Sequence, residues 1–183
     1  GEYSLEGVDE STPYPEKYLC EYSRTKALAE KMILSANDSN LSTVAIRPHL
    51  IWGPGDPHLV PRILDKAGKN RLIKVGEGKN LVDINYIDNA VSAHLKASKV
   101  LAPNGIVAGK TYFVSDGEPI NLWDWVDQLL KRMGKPKVSR KISYGNAMRL
   151  GALMEMTYRL LRIKNEPPMT KFLASQLSTS HYF

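Results

Sequence analysis

The sequence predicts an α/β fold with at least part of its sheet parallel. Two observations carry that prediction. Helix-period segments alternate with short β-branched runs, and glycines and prolines punctuate the joins at a spacing that suits crossover connections. Residues 19–36, rich in Ala, Leu, Glu, Lys and Met, read as a helix ending in an Asn-Asp-Ser-Asn turn. LSTVAIRP, closed by Pro48, reads as a buried strand, and the Gly- and Pro-dense HLIWGPGDPH as a loop. A helix is expected over 59–67, stopped by Gly68, then short strands over 71–75 and 81–86 around the G-E-G-K-N turn. Asp88 reads as the N-cap of a helix reaching residue 101, and TYFVSD as another strand. Asn121 is placed to cap a further helix, with Asp124 at its third position and Gly134 ending it. A last amphipathic helix spans 144–162, and Pro167-Pro168 terminates that region. Repeats and low-complexity tracts are absent.

At 183 residues the chain is long enough to build a proper core, and 43% hydrophobic with 24% charged residues is a globular composition. The single cysteine, Cys20, excludes an internal disulfide and a cysteine-based zinc site, which fits a reducing compartment. Apolar runs stay well short of the ~18 residues a membrane span needs. The first residues, GEYSLEGVDEST, are acidic and polar where a signal peptide is basic and then apolar, so a cytoplasmic location is expected.

The net charge of +6 is uneven. Lys131, Arg132, Lys135, Lys137, Arg140 and Lys141 form an acid-free run, followed by Arg149, Arg159, Arg162 and Lys164. The plainer reading is a solvated helix end and loop. The functional one is peripheral contact with an anionic membrane through 131–164. Nucleic acid is the weaker partner, because the basic run has no interleaved aromatics and matches no reading motif.

Tyr22 and Lys26, in E-Y-S-R-T-K, stand one helical turn apart on one face. Among nine tyrosines one such pair arises easily by chance. Here, however, the stripe Tyr22, Lys26, Ala29 and Ile33 reads as the inward side of its helix. The bland reading is a surface lysine paired with Glu30, an orientation poorer than its reverse. The chemical reading is an acid/base pair. An ammonium beside a phenol stabilises the phenolate and brings the proton into use near neutral pH, with donors left over for a sugar diol. That suits hydride transfer between a nicotinamide and an alcohol/ketone pair.

Other motifs fail. Gly53-Pro54-Gly55-Asp56-Pro57-His58 starts like a dinucleotide fingerprint, but His58 replaces the third glycine and two prolines lack the N–H groups a pyrophosphate needs. Gly76-Glu77-Gly78 also lacks its third glycine. His49, His58, His94 and His181 have no metal-ligand spacing, so no metal is expected. There is no G-x-S-x-G. Trp123 and Trp125 lie on opposite sides of a helix, with core packing expected for at least one.

YSRTKALAEKMILSAN, VAIRPHLIWGPGDPHLVPRIL, LVDINYIDNAVSAHLKA and LSTSHYF, in that order, resemble the 3β-hydroxysteroid dehydrogenase/isomerase family. That family belongs to the extended, epimerase/dehydratase-like short-chain dehydrogenases/reductases. The resemblance implies the C-terminal part of a Rossmann-like doubly wound parallel sheet plus a small mixed substrate-binding domain. Residues 1–48 would belong to the dinucleotide-binding domain. Residues 49–183 would be mainly substrate-binding, with segments returning to the sheet. It further implies NAD or NADP as cofactor, with Tyr22 as catalytic acid/base and Lys26 holding the nicotinamide ribose and tuning the tyrosine. Pro48, His49, Leu50 and Ile51 would lie against the nicotinamide, and His58, Arg62, Asp83 and Tyr86 would border the substrate. The substrates implied are sterols or other bulky lipids, with β-keto lipids or flavonoid-type ketones as the alternative, and the intact enzyme would be a homodimer.

The family's Gly-rich loop, acidic ribose selector and catalytic Ser/Thr have no counterpart in these residues. The chain is therefore expected to be the C-terminal portion of a longer enzyme. The strand after Thr43 is expected to present an unpaired edge, and these residues alone are expected to bind dinucleotide poorly or to act only as a structural or interaction piece.

Overall fold

The structure, a computed structural model, describes residues 4–183. Two compact units emerge, and the chain passes between them several times. Among the described residues, unit 1 gathers 4–6, Val60–Val82 and Ile120–Tyr182; unit 2 gathers Gly7–Leu59, Asp83–Pro119 and Phe183.

In unit 2, helix α1 (Glu21–Ser35) packs on strand β1 (Val44–Pro48). The inner face of α1 is Ser23, Ala27, Glu30 and Leu34, all half-buried. This corrects the inward stripe read from the sequence. Tyr22, Lys26, Ala29 and Ile33 are exposed. The small Ala27 lets the helix approach β1, and Glu30 reaches Arg47 on that strand. Together they outweigh a stripe that is only mildly apolar. Strand β2 (Ile51–Trp52) arises inside the segment read as loop and runs parallel to β5 (Asn85–Tyr86). Helix α3 (Ile87–Val100) follows β5 directly. Asp88 lies in its first turn and does not cap it. Asp116 serves there instead, accepting from the Tyr86 N–H at 3.0 Å and from Asn89 Nδ2 at 2.8 Å. Strand β6 (Lys110–Val114) pairs in parallel with β1, from Val44↔Lys110 to Pro48↔Val114. Among the described residues, the other edge of β1 carries no strand.

In unit 1, helix α2 (Leu59–Gly68, its first residue in unit 2) leads to strand β3 (Lys74–Val75). The 81–86 strand read from the sequence is split. Its first part, β4 (Leu81–Val82), pairs antiparallel with β7 (Ile120–Asn121), and β5 belongs to unit 2. The chain changes unit between Val82 and Asp83, so one continuous ladder cannot form there. Helix α4 (Leu122–Arg132) starts as expected, with the Asn121 side chain accepting from the Trp123 and Asp124 N–H groups at 3.0 Å each. Gly134, at φ 64°, closes it in the left-handed region. Strand β8 (Lys141–Ile142) runs parallel to β3. Helix α5 (Tyr144–Leu160) then packs on a short helix α6 (Lys171–Gln176), which the sequence reading had missed. Gly151 permits that contact, since a Cβ there would lie 2.6 Å from the Thr170 carbonyl carbon. The core joins Val75, Ala147, Met169 and Ala174, with Met154 and Leu177 packed against it. Trp123 is 2% exposed and donates its indole N–H to the Leu177 carbonyl at 3.1 Å.

Candidate active site on the first helix and the Gly-Pro loop

Helix α1 presents Tyr22 and Lys26 on its open face, with Tyr22 67% exposed. Among the described residues neither the Tyr22 hydroxyl nor the Lys26 ammonium has a hydrogen-bonding or ionic partner. Glu30, the partner in the bland reading, is occupied elsewhere. It accepts two hydrogen bonds from Arg47, at 2.8 Å from Nε and 2.5 Å from Nη2, and a third from the Tyr14 hydroxyl. Far from incidental, Glu30 ties the N-terminal loop, α1 and β1 together. Arg47 lies over the rings of Tyr14 and Phe113, and Phe113 stacks on Phe183 at 3.7 Å. This cluster was missed in the sequence. Its one signal was a lone arginine within a β-branched strand, a position that demands a buried partner.

The cluster also sets charges. The hydrogen bond from Arg47 holds the Glu30 carboxyl below its ordinary range against the opposing effect of burial. Burial, and then Glu30, push the Tyr14 phenol up. A depressed folded value means that the stabilisation is full above the ordinary glutamate pKa of about 4.3 and is lost as pH falls through the folded value. Glu30→Gln should therefore lower stability by about 1–3 kcal/mol at neutral pH. The gap to the parent should stay level down to about pH 4.3 and then close. Urea unfolding from pH 7 to pH 3 measures both quantities.

The segment after β1 is held by its backbone. His49 donates its N–H to the Val114 carbonyl at 3.2 Å, and its ring stands edge-on to Phe183 at 5.2 Å. Leu50 takes a positive φ of 35°, a strained choice for a branched residue, and its carbonyl accepts from Asn85. Pro48, His49 and Leu50 are half-buried and Ile51 is exposed. A hollow of about 240 Å³ opens next to them, walled by Ile51, Trp52, Leu59, Ile87 and the Gly53–His58 loop. His58 lies at its rim, and Trp52 meets Tyr86 edge to face at 5.3 Å. Asp56 organises the loop by accepting the His58 and Leu59 N–H groups at 2.8 and 3.0 Å.

The remaining site residues read from the sequence lie elsewhere. Asp83 is buried and accepts the Phe183 N–H at 2.9 Å, a structural engagement. Arg62 belongs to unit 1, where it pairs with Glu166 at 3.7 Å. Among the described residues no group of His, Cys, Asp or Glu could hold a metal ion. No helix among them is long and apolar enough to cross a membrane.

These residues fit one end of a dinucleotide and not the other. An unengaged phenol and ammonium on one helix face suit a ribose diol and its neighbouring reacting atoms. The Gly-Pro loop does not suit a pyrophosphate. Pro54 and Pro57 offer no N–H, and Gly53 is committed to packing, because a Cβ there would lie 2.6 Å from Ile87 Cγ2.

Similarity to known proteins follows the same line. Residues 2–143 match the 3-beta hydroxysteroid dehydrogenase/isomerase family. The chain is 51% identical over 177 residues to 2-alkyl-3-oxoalkanoate reductase of Stenotrophomonas maltophilia, covering 97% of this chain and 53% of that protein. It is 34% identical over 190 residues to human sterol-4-alpha-carboxylate 3-dehydrogenase, decarboxylating, covering 98% and 51%. The chain thus spans about half the length of the curated relatives it matches. The crystal structure of gox2253 superposes with a TM-score of 0.65 at 24% identity, covering 95% of this chain and 52% of that one. UDP-glucuronic acid 4-epimerase from Bacillus cereus, in complex with NAD, gives 0.61 at 21% identity over 76% and 45%. These two likenesses are of fold, and the fold they share is the Rossmann-like α/β class expected from the sequence. With the family match running through well over half of the chain, from before Tyr22 to beyond Tyr86, the chain belongs to the 3-beta hydroxysteroid dehydrogenase/isomerase family.

Proposed function

We propose that this chain carries the acid/base pair of an NAD(P)-dependent oxidoreductase that interconverts a ketone and a hydroxyl on a bulky lipid. The observation that carries the reading is the Tyr22–Lys26 pair, open on α1 while Glu30 is held by Arg47 and Tyr14. In the reducing direction a nicotinamide held there would supply the hydride for the carbonyl carbon. Tyr22 gives its phenolic proton to the carbonyl oxygen, so the C=O becomes CH–OH. Lys26 holds the ribose hydroxyls and offsets the negative charge left on the tyrosine until a proton returns from solvent. Pro48 to Ile51 would border the nicotinamide through backbone, and the hollow beside Trp52 would take part of the substrate, with His58 at its rim and Tyr86 against Trp52. In this reading the pyrophosphate cradle lies outside the 183 residues. Unit 2 then belongs to the dinucleotide-binding fold and unit 1 to the substrate side.

Within the bulky-lipid class we favour a 2-alkyl-3-oxoalkanoate over a sterol. Relatives of that name reach 51% and 46% identity, against 42% and 40% for two 3beta-hydroxysteroid-dehydrogenase/decarboxylases of Arabidopsis thaliana and 34% for the human sterol dehydrogenase. The test compares reduction of a 2-alkyl-3-oxoalkanoate with oxidation of a 3β-hydroxysterol, each with NAD(H) and NADP(H). Turnover of the sterol alone would reject the substrate, and turnover of neither would reject the function. A homodimer belongs to the same proposal, supported by exposed Leu28 and Met32 on α1 and Val91 and Leu95 on α3. So does peripheral membrane contact through 131–164, where a lipid substrate would be met.

A further inference from the structure

Lys26 has a partner within reach that it does not take. Glu30 follows it by four residues, the spacing at which side chains on a helix are neighbours. Lysine before glutamate is the weaker order, yet such a pair forms when nothing competes for the carboxylate. Among the described residues Lys26 nonetheless stands alone. Glu30 is engaged on the side of α1 that meets β1. Arg47 Nε donates to one carboxylate oxygen at 2.8 Å and Nη2 to the other at 2.5 Å, and the Tyr14 hydroxyl adds a third bond. The guanidinium fork fills both oxygens at once, which a point-like ammonium cannot match.

Arg47 is itself fixed in place. Its guanidinium carbon stands 5.0 Å from the centre of the Phe113 ring and 5.7 Å from that of Tyr14. The parallel register sets Phe113 opposite Arg47 on β6, and Phe183 stacks on Phe113. The Arg47 and Glu30 side chains are 21% and 14% exposed, so the two charges cancel mostly out of water. Without the guanidinium a largely buried carboxylate would be left uncompensated, and it would draw in a nearby cation. Two are near. Lys26 is one helical turn away on a neighbouring row. Lys31 adjoins Glu30 in sequence, but consecutive helical residues do not face each other, and its ammonium stands 4.4 Å from the centre of the Tyr14 ring.

We propose that Arg47 is a positioning residue for Lys26. By occupying both oxygens of Glu30 it keeps that carboxylate from capturing the ammonium, which stays open to the hydroxyls of an incoming ligand. That the ligand is the ribose of a dinucleotide rests on the reductase reading above. The division of charge among Arg47, Glu30 and Lys26 does not. One consequence sets this role apart from packing. Removing Arg47 alone should close Lys26 off, and removing the Glu30 charge as well should open it again, although the second change takes away still more of the cluster.

The experiment is competitive labelling of the protein with a trace of acetic anhydride, read lysine by lysine by mass spectrometry. Acylation needs the unprotonated amine, and a carboxylate partner holds the proton on. Lys96, exposed on α3, is the internal reference. Arg47→Met should slow labelling of Lys26 about threefold or more, and Arg47→Met/Glu30→Gln should restore the parent rate. Glu30→Gln alone should leave Lys26 unchanged, because the carboxylate does not engage it in the parent. Four results would overturn the proposal. A faster Lys26 in Glu30→Gln would show capture already in the parent, and it is readable even if Arg47→Met does not fold. An unchanged Lys26 in folded Arg47→Met would show no capture. Slowing of Lys31 in place of Lys26 would assign the wrong cation. A double variant as slow as the single one would reduce Arg47 to packing. Labelling uses neither dinucleotide nor substrate, so a failed reductase assay leaves it readable. Where turnover is found, the KM for dinucleotide should rise and recover in the same order, and an unmoved KM beside the expected labelling would reject the ribose alone.

Discussion

Replacing Tyr22 by Phe should abolish most turnover while leaving dinucleotide affinity nearly unchanged. The substitution removes one oxygen from a side chain that is 67% exposed and has no hydrogen-bond partner among the described residues, so the fold has little to lose. In the proposed mechanism what disappears is the proton for the carbonyl oxygen, and positioned acid/base groups contribute roughly 10²- to 10⁴-fold. The loss should therefore fall on kcat, with the KM for dinucleotide altered little, because in the proposed mechanism Lys26 would still hold the ribose. The measurement is steady-state kinetics of the parent and the variant with the dinucleotide and a ketone substrate. A kcat within a factor of about three of the parent would remove Tyr22 from the chemistry.

Trp123→Ala should destabilise unit 1 by about 3–5 kcal/mol, a large fraction of the stability of an ordinary domain. The ring is 2% exposed, so its removal loses apolar burial and leaves a cavity. It also strands the Leu177 carbonyl that accepts the indole N–H at 3.1 Å, and Leu177 is packed on the core formed by α5, α6 and β3. Trp123→Phe keeps a six-membered ring in the core, so it loses the hydrogen bond with a smaller part of the burial. That variant should lose about 1–3 kcal/mol. Urea denaturation followed by circular dichroism gives both values, and equal losses in the two variants would mean that the hydrogen bond, not the packing, dominates.

The contrast between α4 and α3 shows where local sequence suffices. Asn121 caps α4 from the next residue along, and Gly134 ends it, so both ends are written in adjacent residues. The start of α3 is satisfied by Asp116, far along the chain, which no reading of the residues around Asp88 could reveal. The same division explains the strands. Residues 44–48 and 110–114 carry β-branched runs that announce them, whereas β2, β7 and β8 are two-residue pairings created by partners brought near by the fold. Helix α6 follows a Pro-Pro pair that masks its onset, although Thr170 caps it by accepting from Leu173. In the candidate site, the Tyr22–Lys26 spacing was legible because it is one helical turn. The face it occupies was not, because Glu30 and Arg47 decide which side of α1 meets β1, and they meet only through folding.

The most direct test of the account is chemical. The protein is mixed with a 2-alkyl-3-oxoalkanoate and a reduced nicotinamide dinucleotide carrying deuterium on its transferable position, and the product is examined by mass spectrometry and by NMR. The account predicts a 3-hydroxy acid with one deuterium at C3 and a hydroxyl proton from solvent, formed with Tyr22 intact and lost with Tyr22→Phe. An unreacted ketone, or the same deuterated alcohol formed at full rate by Tyr22→Phe, would contradict it.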